Sequence, residues 1–138
     1  MAAVVTYALD EYQPIRSSPR LRKVTISWLS HTDGVAAITI PRMRGRLIKA
    51  VTNPSATAPT ADYDIVLTDG DGANILANCD DDLTDRHTSN TEIVYFFVKN
   101  AAAAALAVHP VVDGAVTVTV SAAGSGKAGT LTLYWDGD

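Results

Sequence analysis

A chain of 138 residues, 47% hydrophobic and only 19% charged, has the length of one domain and enough apolar side chains to bury a core of its own. Cys79 is the single cysteine, which excludes an internal disulfide and makes an intracellular setting the expectation. The net charge of −4 is unevenly spread: residues 1–49 carry eight bases against three acids, a balance of +5, whereas residues 50–138 carry three bases against twelve acids, a balance of −9.

In chain order, residues 1–22 contain Pro14, Pro19 and scattered apolar residues without clean periodicity, and read as an N-terminal arm preceding a domain at 23–138. The first strand is expected over residues 24–29, with Val24, Ile26 and Trp28 on one face. The Asp33-Gly34 turn leads into a second over 35–40, closed by Pro41, which cannot donate to a sheet. Residues 45–52 form the next. Asn53-Pro54 opens a long loop, and Tyr63, Ile65 and Leu67 alternate along a strand over 63–68 that stops at Asp69-Gly70-Asp71-Gly72.

Residues 75–77 suit either a short strand or a helical turn, and 78–90 are polar loop. Residues 92–99 are apolar on both faces, the pattern of a central or doubly covered strand. The alanine-rich stretch 101–108 suits a helical turn or a covering loop, and is too short to cross a bilayer. Residues 116–121 and 130–135 alternate Val, Leu and Trp with Thr and Tyr around a glycine-rich AAGSGKAG, the signature of a β-hairpin. Eight short strands without helical crossovers predict an all-β fold, an antiparallel β-sandwich or jelly roll, with Ile26, Trp28, Ile65, Leu67, Val116, Val118, Leu131 and Leu133 in its core.

Reactive motifs fail one by one. Gly124-Ser125-Gly126-Lys127 resembles a phosphate loop, but Ser121 and Ala128 replace the residues the motif needs and a strand follows instead of a helix. The sequence from Asp69 to Asn74 begins like a calcium loop, yet Ala73 stands where an oxygen ligand belongs. His31, His87 and His109 share no ligand spacing, and no distant partner for Cys79 as a nucleophile is indicated. Neither a catalytic residue set nor a metal or cofactor site is therefore expected, and the chain does not read as an enzyme.

Arg42, Arg44 and Arg46 alternate, so extended backbone points all three the same way. Without interleaved aromatics, and on an acidic chain, the stripe suits a protein partner better than nucleic acid. Arg16, Arg20, Arg22, Lys23, Arg42, Arg44 and Arg46 form the candidate interface, with no membrane association expected.

Three segments carry a resemblance: residues 45–54 (GRLIKAVTNP) running through Ala58-Pro59 into 63–69, the loop 84–91, and the closing stretch 111–135 with its glycine-rich turn. Together they span roughly residues 22–136, and their order resembles the small capsid decoration, or cement, proteins of tailed bacteriophages. The resemblance implies a jelly-roll subunit, dimeric rather than trimeric, assembled in the host cytoplasm onto the outside of an icosahedral shell, where it ties neighbouring major capsid proteins together. It transfers no functional residue. A carbohydrate-binding β-sandwich is the alternative, disfavoured because Trp28 and Trp135 fall on strand faces where core burial is expected.

Overall fold

The computed structural model describes residues 21–99 and 108–137 in full and the backbone of residues 4–11. Among the described residues there is no helix, and seven strands form one antiparallel sheet: β1 (Val4–Glu11), β2 (Leu21–Leu29), β3 (Ala36–Pro54), β4 (Asp64–Thr68), β5 (Glu92–Tyr95), β6 (Val111–Ser121) and β7 (Ala128–Gly137). The order across the sheet is β1-β2-β7-β3-β6-β4, and β5 joins β3. The fold is all-β and antiparallel, as the sequence indicates, with seven strands rather than eight.

The sheet cannot be flat. Trp28 on β2 and Tyr63, one residue before β4, stand four strand spacings apart along the sheet, roughly 19 Å at about 4.8 Å each. Their ring centroids are 5.6 Å apart. The sheet therefore rolls until its inner faces meet, and the core fills the gap: Val24, Ile26 and Trp28 of β2, Leu131, Leu133 and Trp135 of β7, Ile65 and Leu67 of β4, and Val116, Val118 and Val120 of β6 are all buried.

The strand β3 makes this closure possible. Two expected strands are one continuous element of 19 residues, whose first part pairs with β6 and whose last part lies between β7 and β5. Pro41 does not end it. The register to β6 shifts between Ile40 and Met43, so Pro41 sits in a bulge where no ladder donor is required. A second shift, between Leu47 and Lys49, occurs against β7. Each extra residue changes which parity faces inward: Ala36 and Ile40 are buried before the first bulge, Met43 and Leu47 between the two, Ala50 and Thr52 after the second. A bulged strand bends, and β3 thereby passes from one wall of the sandwich to the other.

Two further expectations change, and the open choice at residues 75–77 is decided. Strands β6 and β7 do not form a hairpin, because β3 lies between them and pairs with both. Their connection instead caps one end of the sandwich, with Ser30 N–H donating to the Lys127 carbonyl at 2.7 Å, Lys127 N–H to the Ser30 hydroxyl at 2.9 Å and Thr60 N–H to the Ala123 carbonyl at 2.9 Å. The start of the expected arm is a strand, since residues 4–11 pair with 22–29 across the full length of β1; residues 12–20 lie outside the described residues, as does most of the stretch 101–108. Residues 75–77 belong to a turn held by Asn74 Oδ1, which accepts from Leu76 N–H at 3.0 Å.

The outer edge of β4 is covered by its own following loop. Ile65 N–H donates to the Leu83 carbonyl and Ile75 N–H to the Leu67 carbonyl, both at 2.9 Å, so this edge is not open to strand addition.

Candidate interaction face

Because β5, β3, β7 and β2 run side by side, their outward residues form rows. Val111 of β6, Arg46, Asp136 and Leu21 make the first; Tyr95, Lys49, Tyr134 and Lys23 the second; Ile93, Val51, Thr132 and Thr25 the third. Four of the five large apolar side chains left exposed among the described residues lie in these rows: Leu21, Ile93, Tyr95 and Val111, the last 73% exposed. The opposite parity of the same strands fills the core.

The polar members are fixed in place. Lys49 Nζ lies 4.8 Å from the Tyr134 ring centroid and 5.6 Å from that of Tyr95, so the ammonium is held over both rings by cation–π attraction. Arg46 Nη2 meets Asp136 Oδ2 at 2.9 Å, and the Thr25 and Thr132 hydroxyls lie 3.2 Å apart. Tyr95, Tyr134 and Arg46 are of the types enriched at protein interfaces, and here they are set on a sheet. This face is broad enough to dock a large surface.

The basic set picked out from the sequence is dispersed. Arg16 and Arg20 lie outside the described residues. Arg22 turns inward with Val24 and Ile26, is 8% exposed, and its Nε donates to the Gly137 carbonyl at 3.0 Å. Lys23 stands in the second row beside Tyr134. Arg42, Arg44 and Arg46 do share the outer side, but Arg44 Nε is 3.1 Å from Asp113 Oδ1 and Arg46 is paired with Asp136, which neutralises two of the three within the chain. Of the acids from residue 62 to 92, Asp64 is in β4, Glu92 is in β5, and Asp80 N–H donates to the Phe97 carbonyl just past β5 at 2.8 Å.

The other candidates have structural roles. Cys79 is buried, and desolvation, reinforced by the charge of Asp82, raises its thiol above the ordinary 9.0, which leaves it protonated and a poor nucleophile at neutral pH. Asp69 Oδ1 accepts from the N–H groups of Asp71 and Ala73, both at 2.9 Å, and so shapes its own turn. His87 Nδ1 accepts from Ser89 and Asn90 N–H at 3.1 and 3.0 Å. Among the described residues no group of three or more His, Cys, Asp or Glu is placed to hold a metal ion. Trp28 and Trp135 are each 2% exposed.

Sequence reasoning missed Ile93, Tyr95, Lys49, Tyr134 and Val111. A signal was available in residues 92–97 (EIVYFF), which are apolar on both faces: the inner face buries Val94 and Phe96, while the outer face leaves Ile93 57% and Tyr95 49% exposed.

No family model and no curated protein matches this chain. Among solved structures, a chain in the structure of infectious bursal disease virus, Gx strain, is similar to it with a TM-score of 0.33 and 12% identity, over 99% of this chain and 32% of that one. This chain thus spans about a third of that chain's length. At that score the likeness carries no argument.

Proposed function

We propose that this chain is a non-enzymatic structural protein of a virion, a β-sandwich subunit that seats on the outside of an icosahedral bacteriophage capsid and ties neighbouring major capsid proteins together. The observation that carries the reading is β5, whose outer side chains Ile93 and Tyr95 are 57% and 49% exposed, on the same outer face as the exposed Val111 and, farther across the sheet, Leu21. An apolar face of this kind on a rigid sheet marks a docking surface. The sequence segments resembling tailed-phage cement proteins supply the class of partner. They also resemble the cement protein of a Bordetella podovirus head, and on that resemblance we propose a homodimer assembled in the host cytoplasm.

Apolar burial supplies most of the holding energy, with Ile93, 57% exposed, contributing about 1–2 kcal/mol if fully covered. Arg42, which has no carboxylate partner among the described residues, and Lys49 steer the approach; exposed charges contribute about 0–1 kcal/mol each and are screened beyond about 10 Å at 0.1 M salt. The test is co-sedimentation with undecorated phage heads. Ile93→Ser with Tyr95→Ser should weaken binding by at least roughly tenfold, about 1.4 kcal/mol, while leaving the chain folded, as checked by circular dichroism. Arg42→Glu should slow association chiefly at low salt. A double variant that sediments with heads as wild type does removes this face from the interface.

One observation favours a second reading: Tyr95 and Tyr134 flank Lys49 on the open face as aromatic platforms. Glycan-array binding without head binding would make the chain a carbohydrate-binding module.

A further inference from the structure

Three buried polar atoms near the end of the sandwich capped by residues 54–60 and 122–128 make no hydrogen bond of good geometry within the chain: Trp28 Nε1, Thr52 Oγ1 and Tyr63 Oη, the last two within each other's influence but not well bonded. Their residues are 2%, 1% and 0% exposed. Buried donors and acceptors almost always find partners, so each of these atoms calls for one.

The three come from different parts of the fold and converge. Trp28 and Tyr63 face each other across the core with ring centroids 5.6 Å apart and planes tilted by 48°. The indole of Trp28 lies over Gly129: a Cβ built there would be 3.1 Å from Trp28 Cε2, the atom bonded to Nε1, and 3.1 Å from the Asn53 carbonyl oxygen. The indole thus lies against Gly129 of β7, on whose other side runs the end of β3 that carries Thr52. Burial raises the Tyr63 hydroxyl above its ordinary 10.0, and hydrogen bonding from the Thr52 side chain pulls it back, which puts these two hydroxyls in each other's neighbourhood. Gly129 itself is required, since a side chain would displace the indole that brings these atoms together.

Their chemistry is complementary to one molecule. The indole N–H only donates, and the two hydroxyls both donate and accept. We propose that an ordered water molecule enclosed in the core accepts a hydrogen bond from Trp28 Nε1–H and exchanges hydrogen bonds with Thr52 Oγ1 and Tyr63 Oη. Buried waters typically make about three hydrogen bonds to otherwise unsatisfied groups. This one links β2 and β3 on one wall to the residue that opens β4 on the other, giving an apolar interior a directional contact that fixes how the walls register. The Arg86 guanidinium and Glu92 carboxylate, 3.7 Å apart, stand close enough to act on the Tyr63 phenol.

The experiment is a crystal structure of the wild-type protein at atomic resolution, with NMR detection of magnetisation transfer from water to the Trp28 indole N–H. The expected result is a density peak within hydrogen-bond distance of all three atoms and a cross-peak at the water frequency. In Thr52→Val, which keeps the shape and removes one partner, the cross-peak should weaken or vanish. A wild-type core with Thr52 bonded directly to Tyr63, no density between them and Trp28, and no water cross-peak at the indole would overturn the proposal. The wild-type measurements decide the matter even if the variant fails to fold.

Discussion

Where three strands meet, the structure leaves no room for a side chain. Gly45 of β3 pairs with Val112 of β6 on one side and with Gly137 of β7 on the other. A Cβ on Gly45 would lie 1.9 Å from the Asp136 carbonyl oxygen, against 3.4 Å or more for ordinary contact, so Gly45→Ala must push β3 and β7 apart by roughly 1.5 Å. That displacement takes one or two backbone hydrogen bonds out of range, at about 1 kcal/mol each, and loosens the Arg46–Asp136 pair, worth about 0–1 kcal/mol. The backbone at Gly45 has φ +134°, where an L residue is strained by about 1–3 kcal/mol. The total is about 2–6 kcal/mol, a large share of the roughly 5–15 kcal/mol that holds a domain together. Two controls separate the causes. Gly72 has φ +82° with nothing within 4 Å of its Cβ position, so Gly72→Ala reports backbone strain alone, about 1–2 kcal/mol. Gly70 has neither feature, and Gly70→Ala should stay within about 0.5 kcal/mol of wild type. Urea denaturation followed by circular dichroism gives the order Gly45, Gly72, Gly70. A Gly45→Ala midpoint equal to wild type, or a Gly70→Ala loss as large, would refute the reasoning.

Leu133→Ala should lose about 2–5 kcal/mol in the same assay, because Leu133 is wholly buried and the sheet around it cannot collapse into the space. Ala122 is exposed at φ +58°, so Ala122→Gly should raise stability by up to about 1 kcal/mol, read as a higher urea midpoint. Cys79 and Tyr63 both have folded-state pKa values raised by burial from 9.0 and 10.0, so the folded state holds their protons more tightly than the unfolded chain. Their contribution is fully present below about pH 9 and is lost as pH rises through the raised values; stability measured from pH 7 upward should fall above 9, and less steeply in Cys79→Ala relative to its own neutral-pH stability. Native Cys79 should accordingly resist thiol reagents at neutral pH and react once urea unfolds the chain.

What the sequence determined is the inner face of nearly every strand. Val24, Ile26 and Trp28, Ile65 and Leu67, Val116 and Val118, and Leu131 and Leu133 are buried where alternation puts them, because side-chain direction in a strand is a local property with a period of two. Which strands become neighbours is not local. The alternating segments 116–121 and 130–135 each find β3 rather than one another, a choice made by the closure of the whole sheet. Nor does alternation survive a bulge: the extra residues near Pro41 and at Ile48 invert the parity of β3 twice, so one long strand reads as two separated by a break. The candidate face depended on the same step. The Arg42–Arg46 stripe was legible as a row of outward charges, but only pairing across β6 and β7 supplies Asp113 and Asp136 to Arg44 and Arg46, and only the register of β5, β3 and β7 sets Lys49 between Tyr95 and Tyr134. A strand's own residues fix what it turns toward the core; its neighbours, assembled from distant parts of the chain, decide what remains on the outside and in what company.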